Sequence, residues 1–319
     1  MTQIMAWGLT KKYGDNLAVD SLDLSVGKEI YGLLGPNGSG KTTTVGMLTT
    51  LVRPASGTAT VCGHDILTDS VGVRRSMSYV PQDMAVDIRL TGRENVDLMA
   101  KLYGIHNKSV RKRRVDEAIG AMGLTDRADE ATNRYSGGMR RRLELAQAFV
   151  HDPEVLFLDE PTVGLDVASR RSIWEYIKNM RGGGITVFVN THHMDEAERY
   201  CDRVGILKRG VLTKEGTPRE LVAELDDVIT VRYTGVLPGT LPDGIVFIET
   251  DGENAMFSTP EGGADMETLV AHLKSEGVDV ISSSVRQPTL EDAYVQSVGP
   301  GSDGGSFNTR QFRNVMMRR

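Results

Sequence analysis

The stretch Gly35-Pro36-Asn37-Gly38-Ser39-Gly40-Lys41-Thr42 directly follows the short apolar segment Ile30-Tyr31-Gly32-Leu33-Leu34. It fits the pattern G-x-x-x-x-G-K-[ST], in which glycines allow backbone N–H groups to converge on phosphate oxygens at the start of a helix. A strand-like segment before the loop and a helical segment, Thr42–Leu51, after it favour a phosphate cradle over a plain glycine-rich turn. The sequence therefore predicts an ATP or GTP site formed by Gly35, Pro36, Asn37, Gly38, Ser39, Gly40, Lys41, Thr42 and Thr43.

Two side chains of this stretch have specific expected roles. Lys41 supplies a positive charge beside the β- and γ-phosphates, and the Thr42 hydroxyl is in position to ligate Mg²⁺. Both lie at the positive end of the predicted helix, which adds to the attraction for an anion. The expected ligands are therefore a nucleoside triphosphate and Mg²⁺.

The composition limits what this site can serve. The 319 residues allow about two domains, and 37 basic against 43 acidic residues give a net charge of −6. That balance provides no overall positive surface for nucleic acid, so we expect no nucleic-acid partner. Cys62 and Cys201 are far apart in sequence, which argues against a disulfide framework or a zinc cluster and favours a reducing compartment. The longest apolar run, Val155–Leu158, is far too short to span a membrane, so work at a membrane requires the spans of another protein.

The order of the segments predicts an α/β fold. Short β-branched segments alternate with helical stretches from Ile30 to about Leu225, which indicates a largely parallel sheet. Between residues 85 and 150 the alternation stops: Thr91 and Glu94 form a capping box for a helix to about Tyr103, and a second helix covers roughly residues 109–122. We therefore expect a helical insert. Its basic run, residues 108–114, is either a solvated helix face or a docking patch.

A carboxylate pair follows the apolar run Val155–Leu158, whose lack of alternation is typical of a strand buried on both faces. Asp159 and Glu160 would then stand at the carboxyl edge of a parallel sheet, where ligands bind. We expect Asp159 to hold Mg²⁺ and Glu160 to orient or deprotonate the attacking water. The alternative is an exposed Asp-Glu at an ordinary strand end.

A second motif, Tyr135-Ser136-Gly137-Gly138-Met139, predicts a separate phosphate site. Ser136 can cap the helix that follows, and Gly137 and Gly138 allow a phosphate to approach the backbone at its N-terminus. The apolar face expected for this helix consists of Met139, Leu143, Ala146 and Val150.

With these motifs, residues 2–225 resemble the ATP-binding-cassette (ABC) ATPases. The family has a Ser-Gly-Gly core a little over twenty residues before the apolar strand that ends in Asp-Glu, as Ser136 stands before Asp159. The flanking Tyr135 and Met139 differ from the commoner family residues, Leu and Gln. Together with Gly-Pro-Asn-Gly at the phosphate loop and the Thr-His-His after residue 190, they resemble exporter ATPases of the daunorubicin-resistance type.

The resemblance implies four further site residues. Tyr13 matches the aromatic on which the family stacks adenine, with a buried strand tyrosine as the alternative. Gln82 matches a glutamine that reaches Mg²⁺ and water and links the site to the helical insert. Asp166 matches the loop that crosses between two subunits, although Val163 departs from the usual small polar residue. His192, with His193 as its rival, matches the histidine that contacts the γ-phosphate and steadies the catalytic carboxylate.

The same resemblance implies an assembly. In the family two cassettes pack head to tail, and because this chain has a single phosphate loop and a single Ser-Gly-Gly, we expect a homodimer or a heterodimer with a similar chain. The implied function is ATP-driven export of a hydrophobic or amphipathic compound, drug-, lipid- or polysaccharide-like. Export would proceed through a separate polytopic membrane permease, with this chain on the cytoplasmic face of the membrane. The alternatives are a soluble ABC-type ATPase acting on nucleic acid or ribosomes, and an importer subunit.

Beyond the ATPase domain, assigned to residues 1–225, residues 226–298 predict a small α+β domain. A capped helix begins at Thr217-Pro218-Arg219-Glu220, and strands and helices follow up to a terminal helix that begins near Pro288. Its Pro-x-Leu-Glu-Asp sequence resembles the end of the accessory domain in the same exporter subgroup, whose role here is dimer contact, regulation or plain packing. Residues 299–319 predict a flexible Gly/Ser-rich linker and a basic tail, read as a frayed terminus or a contact to anionic lipid. The tail's basic residues are Arg310, Arg313, Arg318 and Arg319.

Overall fold

The structure, a computed structural model, describes residues 2–83 and 85–298. Residues up to Glu215 form one compact unit, and residues from Gly216 form a second. The linker and basic tail predicted for residues 299–319 lie outside the described residues. The strands of the first unit are β1 (Ile4–Tyr13), β2 (Asn16–Val26), β3 (Ile30–Leu34), β4 (Ser56–Val61), β5 (His64–Asp65), β6 (Met77–Val80), β7 (Val155–Asp159), β8 (Thr186–Thr191), β9 (Arg203–Lys208) and β10 (Val211–Gly216).

The central sheet has the order β10-β9-β3-β8-β7-β6, and β9, β3, β8, β7 and β6 run parallel. Every residue of β3, β7 and β8 is buried, in agreement with the apolar segments at their centres, Val155–Leu158 of β7 among them. Tyr31 and Phe157 both pack against Phe188, with ring centroids 5.3 and 5.5 Å away. The predicted α/β class is confirmed, and the carboxyl ends of β3 and β7 meet at one edge of this sheet.

A second sheet, with the order β2-β1-β4-β5, is antiparallel. This sheet is not predicted from the sequence. Its apolar residues, including Ile4, Leu9 and Val61, join one buried cluster with Tyr31 and Phe188 of the central sheet. The two sheets therefore share a core, and the β1–β2 hairpin belongs to the same unit as the phosphate loop.

Seven helices are described in the first unit: α1 (Lys41–Leu48), α2 (Ser70–Ser76), α3 (Gly92–Leu102), α4 (Lys108–Ala121), α5 (Gly137–Phe149), α6 (Val167–Gly182) and α7 (Met194–Tyr200). α1 is shorter than the predicted Thr42–Leu51 because Thr50 takes a left-handed φ of 64° and the Val52 N–H bonds the Gly46 carbonyl at 2.8 Å, which closes the helix end. The predicted capping box of Thr91 and Glu94 is present at α3.

The helical insert is confirmed as α3, α4 and α5 with two short 3₁₀ turns between α4 and α5. The basic run lies on α4, where Lys112 and Arg113 are exposed and pair with Asp116 and Glu117 one turn along the helix. Such i, i+4 pairs on a solvated face contribute little to stability. The arrangement favours the solvated-face interpretation of the run.

The second unit contains α8 (Pro218–Ala223), β11 (Asp227–Thr234), β12 (Val246–Thr250), β13 (Asn254–Thr259), α9 (Gly262–Ser275), β14 (Asp279–Arg286) and α10 (Leu290–Val298). Its antiparallel sheet, ordered β12-β13-β11-β14, packs Ile229, Val231 and Phe257 against Leu269 and Leu273 of α9. The predicted α+β pattern is therefore present. In the part of the chain that the structure describes, no helix is both long and apolar enough to cross a bilayer.

Candidate functional site

A cavity of about 260 Å³ opens where the phosphate loop, the β1–β2 hairpin and the end of β7 meet. Its walls come from segments far apart in sequence, and the central sheet brings them together because β3 and β7 end at the same edge. It is lined by Tyr13, Asn16, Ala18, Asn37, Gly38, Ser39, Gly40, Lys41, Thr42, Thr43, Gln82, Asp159 and Glu160. Most residues predicted for nucleotide and metal thus line one cavity.

Backbone crowding explains two glycines of the phosphate loop. A Cβ on Gly35 would collide with the Leu207 carbonyl and the Ser39 hydroxyl, and one on Gly40 would collide with the Ala18 carbonyl. Gly40 also has a φ of 107°, which side-chain-bearing residues rarely adopt. The loop therefore depends on glycine for its curvature as well as for access to the backbone.

Lys41 begins α1 and is almost fully buried. Its ammonium donates to the Gly35 and Pro36 carbonyls at 2.5 and 3.1 Å, and the side chain lines the cavity. Ser39 is also buried, and its hydroxyl has no hydrogen-bond partner among the described residues. A positive charge and an unsatisfied hydroxyl at a helix N-terminus suit a phosphate.

The two carboxylates at the end of β7 have different surroundings. Asp159 accepts a hydrogen bond from the Tyr79 hydroxyl at 3.3 Å and one from the Asn190 amide at 3.4 Å. Burial raises the pKa of Asp159, and the neighbouring Glu160 charge acts in the same direction, against the lowering effects of Asn190 and Lys41. Burial and Asp159 together raise the pKa of Tyr79 to about 12, so this phenol remains a donor at neutral pH.

The raised pKa of Asp159 gives a stability prediction. The charged form is disfavoured in the folded chain, so ionised Asp159 destabilises the fold at neutral pH, and this cost disappears as the pH falls towards its unfolded pKa of about 4. Replacing Asp159 with Asn should raise the Tm by about 2–4 °C at pH 7.5 without nucleotide or metal, and by less at pH 5. Thermal unfolding followed by circular dichroism checks this, with the exposed Asp126→Asn as control. A lower Tm, or a gain that grows on acidification, would contradict it.

Glu160 is held in an unusual backbone conformation. Its φ is 48°, in the left-handed region that non-glycine residues seldom occupy, and its side chain is 9% exposed. Oε1 lies 2.7 Å from Nδ1 of His192, while Oε2 is buried with no hydrogen-bond partner among the described residues. Strain of this kind persists where the surroundings enforce it and concentrates at functional sites. One oxygen of Glu160 is thus anchored and the other is available to a bound group.

The two candidate histidines, His192 and His193, have different contacts. His192 follows β8 and contacts Glu160, whereas His193 stands at the N-cap of α7 with its ring centroid 4.3 Å from that of His192.

Tyr13 ends β1, is 48% exposed and lines the cavity, which rules out the buried-tyrosine alternative. The Lys11 ammonium lies over the Tyr13 ring, 5.0 Å from the ring centroid.

Other predicted residues do not line the cavity. Ser136 caps α5 by accepting from the Met139 N–H at 3.2 Å, and Asp166 caps α6 by accepting from the Ser169 N–H at 3.0 Å. Both side chains are exposed. Neither they nor Gly137 and Gly138 belong to the cavity lining of the same chain. The Ser-Gly-Gly motif is therefore a separate helix N-terminus open to solvent.

The donor set suits Mg²⁺ bound together with a phosphate. The Thr42 hydroxyl, the Gln82 side-chain amide and the Asp159 carboxylate all line the cavity and all offer oxygen, the ligand that this cation prefers. The described residues contain no cluster of three or more His, Cys, Asp or Glu able to hold a metal alone. That is compatible with a metal that takes its remaining ligands from phosphates and water.

Several residues around the site were not identified from the sequence. Tyr79 and Asn190 hold Asp159, and Arg141 and Glu144 of α5 form a buried pair behind the carboxylates. A polar Asn at the end of the apolar strand β8 was a usable signal, because a buried amide requires partners. Arg141 stands in the run Arg140-Arg141-Arg142, where nothing in the sequence marks one arginine as buried.

Comparison with known proteins identifies the family. The family model for the ABC transporter domain matches residues 19–163. The daunorubicin resistance ATP-binding protein DrrA3 of Streptomyces coeruleorubidus is 37% identical over 93% of this chain and 96% of its own length. The daunorubicin/doxorubicin resistance ATP-binding protein DrrA of Streptomyces peucetius is 38% identical over 94% and 93%. A dimeric ATP-binding cassette solved in a post-hydrolysis state with ADP and Pi has a TM-score of 0.60 and 26% identity, covering 67% of this chain and 98% of that one.

A phosphate loop, a buried carboxylate pair and a separate Ser-Gly-Gly helix on one α/β unit define a cassette-type ATPase. The chain belongs to the ABC transporter family as an ATP-binding subunit, and ATP hydrolysis is its reaction. Similarity to daunorubicin-resistance proteins over more than nine-tenths of the chain confirms the subgroup resemblance.

Proposed function

We propose that this chain hydrolyses ATP in a head-to-tail dimer and thereby drives export of a hydrophobic or amphipathic compound through a separate membrane subunit. The observation that supports it most is the single cavity shared by the phosphate loop, Gln82 and the carboxylate pair. The class of cargo is proposed from the similarity to the daunorubicin and doxorubicin resistance ATP-binding proteins. We propose that the cargo is drug-, lipid- or polysaccharide-like. We also propose that the chain lies on the cytoplasmic face of the membrane.

Nucleotide binding would use different lining residues of the cavity for adenine, for the phosphates and for the metal. Tyr13 offers its exposed ring to adenine, and residues 37–43 offer backbone N–H groups to the phosphates. Lys41 neutralises phosphate charge by exchanging its contacts with the Gly35 and Pro36 carbonyls for phosphate oxygens. Thr42, Gln82 and Asp159 would hold Mg²⁺, which would supply positive charge against the negative charge that develops on the phosphate oxygens during the reaction.

Glu160 is the proposed general base. Its free oxygen Oε2 can accept a proton from water, while His192 holds Oε1 in place at 2.7 Å. His192 is half exposed, and its proposed second role is to contact the terminal phosphate beside the carboxylate. In this proposal Asp159, which accepts hydrogen bonds from Tyr79 and Asn190, binds the metal, and Glu160 accepts the proton of the attacking water.

The second half of each site would come from a partner subunit. Ser136, Gly137 and Gly138 form an exposed helix N-terminus outside the cavity of their own chain, and such an end binds anions. A homodimer, or a heterodimer with a similar chain, would bring this end onto the γ-phosphate held by the other phosphate loop. The solved relative with ADP and Pi is dimeric, which supports this part of the proposal. Asp166, which caps α6, would lie near the crossing between subunits.

Two other functions compete with export. A soluble ABC-type ATPase acting on nucleic acid or ribosomes would share the catalytic residues, but the net charge of −6 and the resistance-type relatives weigh against it. An importer subunit would also share them, and only the similarity to resistance proteins favours export.

Replacing Lys41 with Ala should weaken ATP binding by about 10–100-fold, because it removes one charge-assisted contact to phosphate. Titration with a fluorescent ATP analogue in the presence of Mg²⁺ measures the Kd. The exposed Lys12→Ala, on β1, should leave the Kd unchanged. An unaltered Kd in Lys41→Ala would remove this residue from the phosphate site.

The transport proposal is tested by affinity capture of the tagged full-length chain from detergent-solubilised membranes and from the soluble fraction, with mass spectrometry of the captured proteins. We expect one polytopic membrane protein at near-equal stoichiometry, present with the tagged chain and absent from an untagged strain. Capture only from the soluble fraction, together with ribosomes or DNA-repair proteins, would overturn the transport function and leave the ATPase intact.

A further inference from the structure

Arg141 of α5 makes an unusual set of contacts for a residue outside the cavity. Its side chain is only 4% exposed. The guanidinium donates to the Pro161 carbonyl at 3.0 Å, the Asp159 carbonyl at 3.1 Å and the Glu160 carbonyl at 3.4 Å. Three consecutive carbonyls centred on Glu160 are thus bound by one planar group whose five N–H donors have fixed directions.

These carbonyls surround the strained residue of the site. Glu160 has a φ of 48°, a conformation that persists only when its surroundings fix it. The Asn190 carbonyl accepts the Glu160 N–H at 2.9 Å, and His192 binds the Glu160 carboxylate, but both of these contacts come from the same side, from β8 and the residue after it. The Glu160 carbonyl accepts a hydrogen bond from the Val163 N–H at 3.3 Å, within the turn itself, and one from Arg141, which is the contact that comes from α5. The direction of the Glu160 side chain therefore depends on where α5 holds this guanidinium.

The same arginine is connected to the loop that follows β6. Arg141 also donates to the Pro81 carbonyl at 2.8 Å, next to Gln82, and to the Glu144 carboxylate at 2.9 Å. The other oxygen of Glu144 accepts the Ala85 N–H at 2.6 Å. The Arg141–Glu144 pair thus binds the backbone on both sides of Gln82 as well as the turn that carries Glu160.

We propose that Arg141 is a positioning residue for the catalytic carboxylate: with Glu144, it fixes the left-handed turn at Glu160 and ties it to the Gln82 loop and to α5. α5 begins at the Ser-Gly-Gly and also carries Arg141. When the N-terminus of α5 binds a partner's phosphate, the position of α5, and through Arg141 the position of the Glu160 carboxylate, is therefore fixed with it. This inference rests on the proposed role of Glu160 as general base.

Arg141→Lys keeps the positive charge but cannot bind several carbonyls at once. We expect kcat to fall by about 10–100-fold with the Kd for ATP unchanged, because small displacements of a reacting group are costly while the phosphate loop is untouched. Arg111→Lys is the matched control: Arg111 of α4 also binds a carboxylate, Asp97, and two carbonyls, those of Ile105 and His106, but none near Glu160. Equal kcat in both variants would overturn the proposal.

A double-mutant cycle separates positioning from general damage. If Arg141 acts through the Glu160 side chain, adding Arg141→Lys to Glu160→Gln should lower the residual turnover by less than twofold, since the carboxylate it positions is already absent. A further loss of about 10-fold or more would overturn the proposal. If Glu160→Gln alone retains full turnover, Glu160 is not the general base. That result concerns the proposed function and is obtained without any Arg141 variant.

The double variant Arg141→Met/Glu144→Leu guards against loss of folding. Replacing both members of a buried ion pair with apolar residues of similar volume is often neutral or stabilising, whereas removing one leaves a buried charge unpaired. We expect this variant to unfold cooperatively and to retain the wild-type ATP affinity, with kcat lowered at least 10-fold. Wild-type kcat in a folded double variant would show that the pair is structural only and would overturn the proposal.

Discussion

Replacement of Glu160 with Gln should lower ATP turnover by about 10²–10⁴-fold while leaving ATP binding intact. The side chains are nearly equal in size, and the glutamine oxygen can still accept from His192, so the site retains its shape. What is lost is the buried oxygen Oε2 as a proton acceptor, which the structure leaves without a partner among the described residues. ATP that binds but is not cleaved should also hold the closed dimer together.

The measurement is steady-state phosphate release from the full chain at saturating ATP and Mg²⁺, with the Kd for ATP and the molecular mass determined on the same preparations. Glu154→Gln is the matched control, since Glu154 is exposed and precedes the same strand, β7, at its opposite end. It should hydrolyse ATP at the wild-type rate. Undiminished turnover in Glu160→Gln would exclude Glu160 from the proton transfer.

The parts of the fold that the sequence predicted are those with strong local signals. The apolar segments of β3, β7 and β8, the capping boxes at Thr91 and Thr217, and the glycine-rich loop each carry a physical rule that does not depend on distant contacts. The β1–β2–β4 sheet lacked such a signal. The β1–β2 pairing shifts register between Ala6 and Leu9 and again before Lys11 and Lys12, and these irregularities interrupt the two-residue alternation by which an exposed strand is recognised.

In the candidate site, too, some residues can be predicted from the sequence and others cannot. Residues that carry chemistry by type and spacing, such as Lys41 and Glu160, can be identified from the sequence, and both line one cavity in the structure. Arg141 was invisible because its burial results from the approach of loops around residues 81–85 and 159–161 to one face of α5. A run of three arginines on a helix would otherwise be expected to face solvent. The sequence identifies reacting groups more readily than the groups that position them.

The second large effect concerns the motif that lies outside the cavity. Ser136→Arg should abolish hydrolysis without weakening ATP binding, because the exposed helix N-terminus would then present a long side chain where, in the proposed dimer, a partner's γ-phosphate approaches. The phosphate loop of the same chain is unchanged. Phosphate release and ATP titration on the full chain measure the two effects, and Asn133→Arg, an exposed position just before the motif, serves as the control for an added arginine.

Mixing two inactive chains tests the shared site most directly. In a head-to-tail dimer of one Ser136→Arg chain and one Glu160→Gln chain, the first supplies an intact phosphate loop and Glu160, and the second supplies an intact Ser136, so one of the two sites is complete. If chains pair at random and sites act independently, an equal mixture should recover about a quarter of wild-type turnover. Ser136→Arg mixed with a chain carrying both substitutions should recover none, since no complete site can form. Full hydrolysis by Ser136→Arg alone, or mixing without any recovery, would show that each chain completes its own site, and the head-to-tail arrangement would have to be abandoned.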